Sequence, residues 1–284
     1  MESIYFERRQ NVGHIVLANS PSNLIAADFA DCLENAVREA SKADIRSLLI
    51  RAQGPNFSKG GDVLDFIDKG FDDWRTFISQ IHHTYRSIEA LQIPTIAAVR
   101  GAAFGGAFEL ALACDFIVAA ENATFRCIEA SVGSAPVAGG VQRLAERAGR
   151  AYAARYAMLS EPMSGATAGK LGVAAFVVGE DQVENVAEDL ASKLANGPTR
   201  SYGAIRALLK AWSSGGVAAA DLVMLDVAME LYDGADAQRG FANTAAAFDK
   251  DIEPPTLVFE GKQGSTARCA VHAGRYLGQR AGWR

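Results

Sequence analysis

Between Phe104 and Ala120 every residue is apolar or small except two, and both exceptions are carboxylates, Glu109 and Asp115. A run of this kind has to be enclosed. In a bilayer each acid would cost roughly 2.5 to 3.5 kcal/mol at the helix centre, so the run reads as a buried core segment and not a membrane span. An acid held there is desolvated, which raises its pKa toward the range used for proton transfer. The rest of the chain must therefore build a core around this stretch and find a use for its acids.

A length of 284 residues allows one large domain or two small ones, with 49% apolar and 21% charged residues, an ordinary globular balance. The N-terminal half alternates strand-like and helix-like segments, which predicts a mixed α/β core. Residues 4–9 and 13–18 read as strands around Gln10-Asn11, and 27–42 as a helix burying Phe29, Leu33, Val37 and Ala40. Residues 45–52, 95–99 and 116–120 are further strands, and 73–91 is a helix carrying Trp74, Phe77, Ile78, Ile81, Tyr85 and Ile88 on one side. Helical runs follow at 139–158, 182–197, 199–213 and 217–248, interrupted by a strand candidate at 174–178. No flexible linker separates these parts. The division expected is a core over 1–195, a helical C-terminal region over 196–262 and a disordered basic tail over 263–284.

Net charge is −5, but the last 23 residues hold five Lys/Arg and no acid, leaving 23 basic against 33 acidic residues in the body. Such a body does not attract nucleic acid through bulk charge, and a polyanionic ligand would need local donors. The start Met1-Glu2-Ser3 lacks the basic and apolar segments of a secretory leader, so a cytoplasmic location is expected. Cysteines at 32, 114, 127 and 269 form no CxxC pair and do not cluster with histidines 14, 82, 83 and 272, so neither a metal site nor a disulfide framework is expected.

Two glycine-rich segments follow strands: Phe57-Ser-Lys-Gly-Gly-Asp62 and Gly101-Ala-Ala-Phe-Gly-Gly-Ala-Phe-Glu-Leu110. Each exposes bare N–H groups near a helix start, where a negative oxygen is favoured. Two such groups converging would make an oxyanion hole; simple turns and a phosphate cradle are the other readings. Neither segment is GxGxxG or GxxxxGK[ST]. Glu109 follows Gly106 by three residues and shares its helix face; it is either an acid–base group or a helix-start acid that favours the dipole. Glu129, among small and apolar neighbours, is likewise either a solvated acid or the partner of Glu109 at one site. No GxSxG elbow is present.

The stretch from Ile93 to Ala120 resembles the signature of the crotonase superfamily, a strand, glycine turn and buried helix ending in Ala-Cys-Asp. Phe57–Asp62 is similar to that family's FxxG(A/G)D loop, and Phe125–Leu144 to its FxxPExxxGxxPxxGGxxRL block. The resemblance implies a fold of ββα units in a spiral with a helical trimerisation region at the C-terminus. It implies that Gly61 and Gly106 form the oxyanion hole for a thioester, that Glu109 and Glu129 are the catalytic acids, and that Lys59, Gly60, Asp62, Gly105 and Pro136 contribute to substrate binding. With both acids present, hydration of a 2-enoyl-CoA is the expected reaction, and isomerisation, another acyl-CoA lyase activity or non-catalytic CoA-ester binding the alternatives. No cofactor is expected, coenzyme A being part of the substrate; the expected partners are an acyl-CoA thioester and further copies of the chain, as a trimer or dimer of trimers, with neither nucleic acid nor membrane. The sequence departs from the family pattern at Ile128, where proline is common, at Val137-Ala138, and at the bulky Phe104 and Phe108, which are expected to alter the acyl pocket.

Overall fold

The computed structural model describes residues 3–67, 69–250, 252, 253, 257 and 259. The tail expected to be disordered, 263–284, lies outside the described residues. Two compact units divide at Ala195 and Asn196.

The first unit opens with β1 (Ile4–Arg9) antiparallel to β2 (Val12–Leu17). Helix α1 (Phe29–Lys42) then buries Phe29, Leu33, Val37 and Ala40, the four residues its spacing predicts, together with Ala30 and Ala36. Strand β3 (Ser47–Ala52) runs parallel to β2. A short helix α2 (Val63–Phe66) and the long α3 (Phe71–Ala90) precede β4 (Thr95–Val99), which pairs in parallel with β3. Strand β5 (Ala102–Phe104) leads through Gly105 into α4 (Gly106–Leu112), and β6 (Phe116–Ala120) returns beside β4.

After β7 (Thr124–Arg126) comes a single 3-10 turn at Glu129–Val132, then α5 (Gly140–Ala148), α6 (Arg150–Leu159), β8 (Met163–Ser164) and α7 (Gly165–Lys170). Strand β9 (Phe176–Val178), a second 3-10 turn at Glu180–Gln182 and α8 (Val183–Ala195) complete the unit. The strands form a six-stranded sheet in the order β1-β2-β3-β4-β6-β9 and a three-stranded sheet β5-β7-β8. Strands β2 and β4 are buried along their whole length, as parallel strands covered on both faces must be.

Helix α4 is buried from Ala107 to Leu112. The two acids of the apolar run part company here. Asp115 accepts from the Thr95 N–H (2.7 Å) and hydroxyl (3.0 Å), tying the start of β4 to the start of β6. Its role is structural. Glu109 points elsewhere. Phe108 packs against Phe125, ring centroids 5.1 Å apart, and is fully buried; the expectation that its bulk shapes an acyl pocket is therefore corrected, since that bulk fills the core.

The second unit contains α9 (Thr199–Tyr232) and α10 (Ala235–Phe248). The first is two helices joined at Gly215 and Gly216, the latter at φ +69°. The sequence runs 139–158 and 217–248, each expected to be continuous, are broken by Gly149 (φ +84°) and at Gly234, which caps α10. Among the described residues no helix is long and apolar enough to cross a membrane.

Candidate active site

A short parallel bridge between Ser58 and Ala103 brings the two glycine segments together. The Ser58 N–H donates to the Ala102 carbonyl (2.9 Å) and the Phe104 N–H to the Ser58 carbonyl (3.1 Å). Fully buried Phe57 anchors the first strand, and the Asn56 side chain accepts the Ala102 N–H (3.0 Å). Counting three residues on from the bridge leads to Gly61 on one segment and to Gly106 on the other. Gly60 must lack a side chain: its φ is +86° and a Cβ would lie 2.9 Å from the Phe104 carbonyl oxygen.

Gly61 makes a second parallel bridge, with Ile25, in which the Ile25 N–H donates to Gly60 (2.9 Å) and the Asp62 N–H to Ile25 (3.0 Å). In that pattern the N–H and carbonyl of Gly61 itself point away from Ile25. Gly106 is the first residue of α4, so its N–H belongs to those a helix leaves without an internal acceptor. Gly105, at φ +54° and ψ −128°, makes the sharp entry, and a Cβ there would come within 3.1 Å of Glu129 Oε1. A Cβ on Gly106 would meet Ile25 Cδ1 at 3.0 Å. Ile25 thus borders both glycines, and Glu129 sits against the turn between β5 and α4.

Glu109 is 4% exposed. Its Oε1 accepts two backbone N–H groups, from Ala138 (3.0 Å) and Gly140 (2.7 Å), while none of the described residues donates to Oε2. Burial pushes its carboxyl up to about 7, with nearby Glu129 adding to the rise; the two N–H donors and Arg143 pull the other way. Glu129 is also raised by burial, and its Oε2 is enclosed without a hydrogen-bond partner. Removing an acid from water disfavours its charge more than two N–H donors can restore, and a like charge alongside adds to that. Cys127 is pushed up to about 12, mainly by burial, so it stays a thiol with no nucleophilic role at neutral pH.

The other residues singled out in the sequence are placed as follows. The Lys59 side chain is exposed, and its N–H donates to Ser22 (2.9 Å). The Asp62 carboxylate caps α2 by accepting the Leu64 N–H (3.1 Å). Pro136 is half-buried in the segment leading to the Ala138 and Gly140 donors. Ile128, at the position where proline was noted as common, packs near Gly105.

Several neighbours had no sequence signal beyond their place in an element. The Tyr85 hydroxyl, fully buried, donates to the Gly106 carbonyl (2.8 Å). Phe66 lies across Gly61, where a Cβ would stand 2.2 Å from its ring, and it contacts Trp74 and Phe77. Arg143 reaches the backbone at 138 and 139. Among the described residues no His/Cys/Asp/Glu group could hold a metal ion.

Backbone donors without internal acceptors, set beside two carboxyls raised toward neutrality, suit work on a polarised carbonyl next to which a proton must move. The model of the enoyl-CoA hydratase/isomerase family matches residues 7–243. The chain belongs to that family, part of the crotonase superfamily, and it has the crotonase fold. A Bacillus subtilis protein named a probable enoyl-CoA hydratase is 32% identical over 74% of this chain and 82% of its own length. A Salmonella enteritidis carnitinyl-CoA dehydratase is 33% identical over 75% and 82%. The crystal structure of an enoyl-CoA hydratase from Polaromonas sp. JS666, 27% identical, superposes with a TM-score of 0.79 over 89% of this chain and 98% of that one.

Proposed function

We propose that this protein is an enoyl-CoA hydratase, adding water across the double bond of a 2-enoyl-CoA to give a 3-hydroxyacyl-CoA. The observation that carries the reading is the presence of two enclosed carboxyls, Glu109 and Glu129, beside one glycine turn. Relatives named as a hydratase and a dehydratase, the two directions of one chemistry, support it.

In this reading the N–H groups of Gly61 and Gly106 receive the thioester oxygen as negative charge builds on it, and losing one such donor costs about 2.7 to 4 kcal/mol of transition-state stabilisation. A water lies between the two acids. Ionised Glu109, through Oε2, takes one proton from it while the oxygen attacks the β-carbon; protonated Glu129 gives a proton to the α-carbon. The substrate has then gained H and OH, the proton count of the pair is unchanged, and the proton returns to Glu129 before the next turnover. The pair acts while it holds one proton, so its two dissociations bound the activity as a coupled unit.

Gly60 and Gly105 supply the close backbone approach, Pro136 and Asp62 shape the segments around it, and Lys59 offers an exposed cation to the CoA end. No cofactor is required. The second unit, with Leu222, Leu225, Met229, Phe241 and Phe248 exposed, is assigned to assembly into a trimer or a dimer of trimers. A monomer in sedimentation at micromolar concentration would end that assignment.

The test is the loss of conjugated-thioester absorbance when the protein meets crotonyl-CoA and a longer 2-enoyl-CoA, with Glu129→Gln alongside. Loss that gives a 3-hydroxyacyl product and vanishes in the variant supports the reading. No loss, with turnover of a 3-enoyl-CoA instead, replaces it with isomerisation.

A further inference from the structure

Glu109 does not hold its orientation alone. Its Oε1 is fixed by the N–H groups of Ala138 and Gly140, so the backbone of 138–140 decides where Oε2 points. That backbone hangs on Arg143. The Arg143 Nη1 donates to the Gly139 carbonyl (3.0 Å) and, at longer reach, to that of Ala138 (3.4 Å), while Nε and Nη2 each donate to one oxygen of Glu89 at 2.6 Å. The guanidinium is 11% exposed. A planar group with a fixed fork of donors, clamped on one edge by a bidentate carboxylate, holds its other edge to one geometry.

Three successive residues are thus gripped from both sides, carbonyls by Arg143 and N–H groups by Glu109. Gly139, at φ +105°, permits the turn that lets both sets face inward. We infer that Arg143, braced by Glu89, is a positioning residue for the acid–base pair: it sets the 138–140 amides that commit Oε1 of Glu109 and leave Oε2 as the oxygen that handles the proton. This rests on the reading of Glu109 as an acid–base group. Charged or titratable neighbours of Glu109 are Glu129 and Cys127 beside the glycine turn, Tyr85 on α3 and Arg143 on α5.

The test follows the Glu109 carboxyl directly by pH-difference infrared spectroscopy of the substrate-free protein, its band assigned by loss in Glu109→Gln. Arg143→Met removes the brace and the cation, so the midpoint should move upward by on the order of one unit. Glu89→Gln keeps the cation and loosens only the brace, and should move it upward by less. In the hydration assay both variants should lose kcat, by on the order of 100-fold for Arg143→Met, with KM nearly unchanged. Arg143→Lys should not restore the wild-type midpoint, because a point charge cannot replace the fork.

A Glu109 midpoint unmoved in folded Glu89→Gln and Arg143→Lys proteins overturns the inference, even if melting temperatures fall. Should Arg143→Met fail to fold, those two variants decide. If wild type hydrates nothing yet the midpoints move as stated, the hydratase proposal fails and the positioning role stands.

Discussion

Two pairs of adjacent glycines occur in places that look alike on paper, Gly105-Gly106 at the start of α4 and Gly215-Gly216 inside α9. In each pair one member has a positive φ, +54° at Gly105 and +69° at Gly216. Their surroundings differ completely. A side chain on Gly105 would press on Glu129, and one on Gly106 on Ile25, whereas one on Gly216 would meet nothing within 4 Å. The first pair is a place where backbone must come close to something; the second only bends a helix. Glycine reports that the main chain needs freedom. What the freedom is for depends on what stands opposite.

The comparison can be sharpened most strongly at the acid beside the first pair. Glu109→Gln should lower hydration by about 100- to 10,000-fold and yet stabilise the fold at alkaline pH. Glu109 is raised from 4.5 to about 7, so its contribution to stability is fully present below 4.5 and is lost as pH rises through 7. The gap corresponds to on the order of 3 kcal/mol. Urea unfolding at pH 5 and pH 8 should show the variant gaining on wild type only at the higher pH; equal differences at both would deny that the folded protein raises this acid.

Next in size comes Gly105→Ala, which imposes a conformation costing about 1 to 3 kcal/mol and pushes on Glu129. A loss of kcat on the order of 100-fold is expected. The smallest effect is at the other pair: Gly216→Ala bears similar strain or lets the helix straighten, but kcat should stay within about twofold, the size of an ordinary surface change. If the two alanine variants lost activity equally, the distinction between the pairs would collapse.

How far the sequence carried the reading follows the same division. The face of α1 and the burial of α4 were legible because apolar spacing and an unbroken apolar run are local patterns. Glu109 stood out for the same reason, as a charge where none belongs. The three-stranded sheet was missed: β5, β7 and β8 have three, three and two residues, too few to show alternation. The partners of Glu109 were equally invisible. Arg143 lies 54 residues from Glu89, and Ala138 and Gly140 act through N–H groups that every residue but proline possesses. Helix breaks at Gly149 and Gly234 were passed over because the apolar pattern resumes on the far side.

The Ser58–Ala103 bridge carries a last consequence, for what this molecule can become. From that bridge to Gly61 and to Gly106 the two segments run the same number of steps, so they act as a pair of rulers laid side by side. A single inserted residue in either one would leave every side chain in place and still turn one donor to the opposite side of its strand. Drift by substitution is open to these loops wherever a side chain fits. Drift in length is closed, and a lineage descended from this protein would be free to rewrite the letters here but not to add one.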